Sequence, residues 1–193
     1  MRILHLFCGA GGAEMGYYRS GFTDIVGVDI TPQPHYPFTF VQADALEYAA
    51  EHGYEYDVIH ASPPCQAYSI MRNLSWFKHK VYPTLILPTR ELLEKLDKPY
   101  VIENVMGARR GSRVLVRWGL EAHGLDADYL CGTMFGKSLY RHRLFATNWL
   151  WVVPEHPKHS PRNLPPRASE GAAGLGVKPR SGVSTEGIGI GHV

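Results

Sequence analysis

Seven short apolar runs, most of them halted by glycine, proline or an acidic residue, alternate along this chain with segments of helical character. Arg2-Ile3-Leu4-His5-Leu6-Phe7 is almost continuously apolar, the pattern of a central strand covered on both faces. A glycine-rich turn from Cys8 to Gly12 follows, then a helix predicted over Glu14 to Ser20 with Gly21 as its stop. Ile25 to Val28 is a second strand with Asp29 at its end, and Thr31 to Pro37, with three prolines, is a loop. Phe38 to Val41 alternates as a third strand, and Asp44 opens a helix that runs to His52 before Gly53. Tyr56 to His60 is a fourth. Pro83 to Leu96 is helical, with Leu92, Leu93 and Leu96 on its buried face, and Pro88 is expected to kink or divide it. Pro99 to Ile102, Ala127 to Leu130 and Leu144 to Thr147 complete the strands, and Cys131 is expected to be buried.

Composition adds a boundary. The 193 residues are 45% hydrophobic, which suits one domain with a core over 1–153 and a tail over 154–193. Residues 156–193 hold five Lys/Arg against two acids, so of the net charge of +2 this stretch carries +3 and the rest −1. Its seven glycines and five prolines cannot offset the entropy of ordering, and a disordered tail is expected. The three cysteines, Cys8, Cys65 and Cys131, form no CxxC pair, which argues against a disulfide scaffold and a zinc site. His156 and His159 have a spacing that suits a metal, but without carboxylate support no metal is expected. No apolar stretch reaches the ~18 residues of a membrane span and no signal-peptide pattern opens the chain, so a cytoplasmic, monomeric protein is expected.

Chemistry gathers where strands end. Pro63 and Pro64 stop the fourth strand and deliver Cys65 in a rigid turn at the carboxyl edge, where open α/β sheets hold ligands. Such a cysteine is either a small core residue or a nucleophile. The turn with Gly9, Gly11 and Gly12 is either a tight strand-to-helix connection or an approach for a ligand, and Asp29, some twenty residues on, is spaced to accept from ribose hydroxyls. Glu103 stands at the end of the fifth strand, placed as a general acid would be, with Asn104 to pin the turn. Arg141 and Arg143 alternate in an extended segment and therefore share a face, with His142 on the other. Two basic stretches are candidates for phosphate contact or plain solvated surface: Arg72, Lys78, His79 and Lys80 among Tyr68, Trp76 and Phe77, and Arg109, Arg110, Arg113 and Arg117.

Ser62-Pro63-Pro64-Cys65-Gln66, with Leu6-Phe7-Cys8-Gly9-Ala10-Gly11-Gly12 before it and Glu103-Asn104-Val105 after it, resembles the C5-cytosine DNA methyltransferase family, whose signatures occur in this order. Short bacteriophage-encoded members carry a segment similar to Leu130 to Gly136 followed by Arg141-His142-Arg143. The resemblance implies a Rossmann-like class I S-adenosylmethionine-dependent methyltransferase fold, α/β, with a mostly parallel sheet and helices on both faces. It also implies S-adenosyl-L-methionine as cofactor, surrounded by Phe7, Gly9, Gly11 and Pro64, with Asp29 on the ribose. Asp44, an N-cap by its position, would also contact the adenine amino group.

The implied reaction is methylation at C5 of a cytosine flipped out of double-stranded DNA, with Cys65 as covalent nucleophile, Glu103 as acid at N3, and Arg143 with Arg141 at O2. Where the family has glutamine two residues before the first arginine, this chain has Leu139. Nor do residues 151–193 show the recognition region and two further motifs expected to follow. Two alternatives therefore stand: an inactive homologue that binds DNA or cofactor, and the same chemistry on RNA or nucleotides. A phage origin would place the protein in the host-cell cytoplasm.

Overall fold

The computed structural model describes residues 1–68, 82–108, 127–137 and 139–158. Its strands are β1 (Arg2–Leu6), β2 (Asp24–Asp29), β3 (Thr39–Gln42), β4 (Val58–Ala61), β5 (Tyr100–Val105), β6 (Ala127–Cys131) and β7 (His142–Thr147). They form one sheet in the order β3-β2-β1-β4-β5-β7-β6, with β7 antiparallel to both its neighbours and β1 to β5 parallel. From β1 the chain winds outward through β2 and β3, then returns to β4 and winds the other way through β5. Strand order thus reverses between β1 and β4, and their carboxyl ends open a crevice there.

Helices α1 (Gly12–Arg19), α2 (Ala45–His52) and α3 (Ile86–Leu96) connect the strands. Crossovers between parallel strands are right-handed, so the leftward β1-to-β2 connection and the rightward β4-to-β5 connection place α1 and α3 on opposite faces. α2 packs beside α3. Leu4, Leu6, Val28, Ile59 and Ile102 of the strands, Ala49 of α2, and Ile86 and Leu93 of α3 are almost wholly buried. This is the arrangement that the resemblance implied: an α/β, Rossmann-like class I methyltransferase fold with a mostly parallel sheet and helices on both faces.

Several boundaries shift by a few residues, and two of the differences from expectation have a plain physical reason. Pro88 neither kinks nor divides a helix: α3 begins at Ile86, so the proline sits in the first turn, where its missing N–H has no partner to lose. Glu103 does not follow its strand but lies inside β5, because pairing with β7 extends β5 to Val105. The cap on α2 is as expected: Asp44 Oδ1 accepts from the N–H groups of Leu46 at 2.9 Å and Glu47 at 3.1 Å. No described helix is long and apolar enough to cross a membrane.

Gly27 in β2 shows how tightly the loop after β2 is seated. A Cβ there would collide with the Tyr36 hydroxyl and approach Cys8 Sγ to 2.9 Å. Gly27→Ala should lower the free energy of unfolding by about 1–3 kcal/mol through overpacking, read as a lower denaturant midpoint at unchanged slope.

Candidate active site

β4 ends at Ala61, and the following loop is held from two sides. Ser62 N–H donates to Leu6 O of β1 at 3.0 Å, and the buried Asn104 amide donates through Nδ2 to Pro63 O at 2.9 Å. Asn104 Oδ1 accepts from Val105 N–H at 2.9 Å. Prolines have no N–H to anchor, so the loop is fixed through its carbonyl, a bond worth about 0.5–1.5 kcal/mol net. Asn104, expected to pin a turn after Glu103, lies instead within β5 and pins the loop that carries Cys65. The chain then reverses with Tyr68 N–H donating to Cys65 O at 2.9 Å.

A pocket of about 200 Å³ opens there, lined by Ser62 to Gln66 on one side and by Glu103, Val105, Arg141 and Arg143 on the other. Arg143 Nε lies 3.0 Å from Glu103 Oε1. Burial nevertheless pushes the Glu103 carboxyl above the ordinary glutamate range, because desolvation outweighs the opposing pull of Arg143, Ser62, Arg141 and His5. The four residues predicted for chemistry, Cys65, Glu103, Arg141 and Arg143, therefore share one cavity.

Beneath it runs a buried polar chain. The Ser62 hydroxyl serves Glu103 and lies 3.1 Å from His5 Nε2 and 3.3 Å from His60 Nε2. His5 Nδ1 contacts the Glu14 carboxylate, and Tyr36 OH donates to Glu14 Oε1 at 2.7 Å. Burial alone would raise the Glu14 carboxyl; the hydrogen bond and charge of His5, with Tyr36, more than offset it and hold the carboxyl low. Burial and then His5 push His60 well below the usual histidine range, so it is neutral. Tyr17 OH lies 2.7 Å from His60 Nδ1 and extends this chain to α1.

On the cofactor side, Phe7 (φ 60), Gly9 (φ 53) and Gly11 (φ 88) take the left-handed backbone that bends the β1–α1 turn. Gly11 has a second reason to be glycine, since a Cβ would come within 2.7 Å of Pro37 Cδ; at Gly9 a Cβ meets nothing within 4 Å, leaving open space above the turn. Asp29 accepts from Gly9 N–H at 3.0 Å through Oδ2 and from Thr31 N–H at 2.9 Å through Oδ1, so it splices the ends of β1 and β2. Each oxygen keeps a second lone pair for a hydroxyl. Asp44 is exposed and caps α2 with Oδ1 alone, which leaves Oδ2 for an amino group. Ile30, 69% exposed beside Asp29, offers an apolar face to a flat ring, and Pro64 borders the crevice from the β4 side. Open space, acceptors and an apolar face together fit a nucleoside cofactor such as S-adenosyl-L-methionine.

Arg72, Lys78, His79 and Lys80, the Arg109–Arg117 cluster and His159 lie outside the described residues. Leu139, at the family's glutamine position, packs against Gly132 and accepts from Cys131 Sγ at 3.7 Å. Residues missed from sequence are His5 and Glu14, hidden by an apolar run and a helix start, Ser62, and Ile30, whose only signal was an apolar side chain directly after a strand-end acid.

The cysteines differ sharply. Cys8 is 6% exposed and its thiol is pushed up to about 12 by burial and by Glu14 and Asp29, so it is inert at neutral pH. Cys131 is 1% exposed, whereas Cys65 is half-buried and lines the pocket. Limiting iodoacetamide on the folded chain, read by peptide mass spectrometry, should label Cys65 first and Cys8 only after denaturation.

The model of the C-5 cytosine-specific DNA methylase family matches residues 1–114. The type II methyltransferase M.AquIA of Picosynechococcus sp. is 28% identical over 121 residues, covering 55% of this chain and 49% of its own. M.AgeI of Thalassovita gelatinovora is 26% identical over 186 residues, covering 82% and 42%. The chain thus spans under half the length of these curated relatives. Among solved structures, a Spodoptera frugiperda DNMT2 mutant superposes with a TM-score of 0.54 at 22% identity, covering 81% of this chain and 53% of its own. The Entamoeba histolytica methyltransferase EhMeth gives 0.54 at 16%, covering 82% and 57%, so the fold is shared. With that family model spanning well over half of its residues, the chain belongs to the C-5 cytosine-specific DNA methylase family.

Proposed function

We propose that this protein methylates C5 of cytosine in double-stranded DNA, using S-adenosyl-L-methionine and a covalent bond between Cys65 and the flipped-out base. The observation that carries this reading is the convergence of Cys65, Glu103 and Arg143 on one pocket, next to the crevice formed by Gly9, Asp29 and Asp44. When bound, S-adenosyl-L-methionine supplies an electrophilic methyl group.

C5 of cytosine is a poor nucleophile, and the residues of the pocket supply what it lacks. Addition of the Cys65 thiolate to C6 makes C5 enamine-like; after methyl transfer the C5 proton is lost and the sulfur–C6 bond breaks, which returns the free thiolate and 5-methylcytosine. Negative charge developing on the ring is relieved at N3, where Glu103 donates a proton; its raised pKa keeps that proton available at a higher pH than an ordinary glutamate would. Arg143, already directed at Glu103, orients and polarises O2, with Arg141 beside it. Ser62, His5 and Glu14 position Glu103 from below. Extracting the base costs a few kcal/mol, which pocket and phosphate contacts offset.

Incubation of duplex DNA with labelled cofactor, followed by nucleoside analysis, should yield 5-methylcytosine with the native chain and none with Cys65→Ala. A 5-fluorocytosine duplex should trap a covalent complex, and trapping that persists in Cys65→Ala overturns the proposal. The second reading, a cofactor- or DNA-binding homologue without turnover, is favoured by Leu139 at the family's glutamine position; it predicts cofactor binding without product. Competition with RNA and dCMP separates the remaining substrates.

Glu103→Gln should lower the methylation rate by about 10²–10⁴-fold. Because ionised Glu103 accumulates as pH rises through its raised pKa, the native rate should fall on the alkaline side above the ordinary glutamate range. Glu103→Gln should lose that limb while keeping cofactor binding.

A further inference from the structure

Behind β7, on the face away from the pocket, three metal-binding side chains meet. The antiparallel register of β6 and β7 places Cys131 opposite His142. Side chains alternate along β7, so Arg143 turns toward Glu103 while His142 turns the other way. After β7 the chain returns His156 to the same spot: the Nε2 atoms of His142 and His156 are 2.9 Å apart. Cys131 Sγ completes the group, with all three ligand atoms within 4.8 Å of one another. Tyr129 lies edge-on to both rings, at 5.3 Å and 5.4 Å between centroids.

A hydrogen bond between the two imidazoles explains one contact only. It requires opposite tautomers and does not involve Cys131, whose 1% exposed thiol donates to Leu139 O and accepts from the Thr133 hydroxyl. One soft thiolate with two imidazoles is a donor set that zinc favours. Tetrahedral zinc, at about 2.0–2.1 Å from nitrogen and 2.3 Å from sulfur, holds two ligand nitrogens about 3.3 Å apart and nitrogen and sulfur about 3.6 Å apart. The histidine pair would open by a few tenths of an ångström, and no pair would have to close by more than about 1.2 Å. His156 lies on an irregular segment, which can make that shift. The Thr133 hydroxyl donates to Cys131 Sγ at 3.2 Å, the outer contact that favours the thiolate.

We propose that Cys131, His142 and His156 bind one Zn²⁺ through Sγ and two Nε2 atoms, with water at the fourth position. Binding releases the thiol proton to solvent as the Zn–S bond forms, with no change of oxidation state. The ion would clamp β6, β7 and the segment after β7, and so fix the strand that carries Arg143. This does not depend on methyl transfer, since the site lies on the other face of the strand.

The test uses the full chain, purified without a histidine tag and without chelator. Elemental analysis should find one zinc per chain. After removal of the metal, Co²⁺ should bind with tetrahedral visible bands and a thiolate-to-cobalt charge-transfer band in the near ultraviolet. Cys131→Ser should abolish the charge-transfer band. His156→Ala, on a surface segment where folding is not at risk, should weaken Co²⁺ and Zn²⁺ binding by about 100-fold or more, and Thr133→Val by about 10-fold, with the fold checked by circular dichroism. A native chain that folds but binds neither ion stoichiometrically overturns the proposal and leaves a plain histidine pair. Binding that survives both Cys131→Ser and His156→Ala overturns it too, because the metal then sits elsewhere.

Discussion

A single carboxylate, that of Glu14, ties together the two halves of the crevice. It is fully buried in the first turn of α1, between His5 of β1 and Tyr36 of the loop after β2. Through Tyr36 it seats that loop over Gly27 and against Gly11; through His5 and Ser62 it reaches Glu103. An uncompensated ion in such a place costs several kcal/mol, and removing one partner of a buried pair typically costs 3–5 kcal/mol. The glycine turn and the pocket therefore stand or fall with the same polar network.

Electrostatics also separates residues of one type into different tasks. Cys8 and Cys65 follow neighbouring strands, yet Cys8 faces two carboxylates in a dry setting while Cys65 faces a cavity with two arginines. Glu14 and Glu103 are both partnered by cations or imidazoles, but Glu14 stays low and Glu103 rises, because burial outweighs its partners in the second case only. Environment, rather than residue type, assigns a silent thiol, a pocket-lining one, a fixed anion and a proton holder.

Much of this arrangement was legible in the chain itself, where it was local. Apolar runs that stop at glycine or proline located the strands, a strand-end position located Asp29 and Cys65, and a helix-start position located Asp44. What depended on distant partners was not. Glu103 lies within its strand because β7 pairs beside it, which no pattern around residue 103 records. His5 sits in an apolar run and Glu14 looks like an ordinary helix-opening acid; only the fold brings them together. Cys131, His142 and His156 are separated by 11 and 14 residues, and the register of two antiparallel strands joins the first two.

The loop of Pro63 and Pro64 has one more property. Neither residue carries an amide hydrogen, and the carbonyl of Pro63 is already committed to Asn104. Along these two residues the main chain offers a visitor no donor, so a stray strand finds no ladder of N–H groups there. That shifts the task of telling one visitor from another toward the thiol, carboxyl, guanidinium and hydroxyl groups that line the mouth.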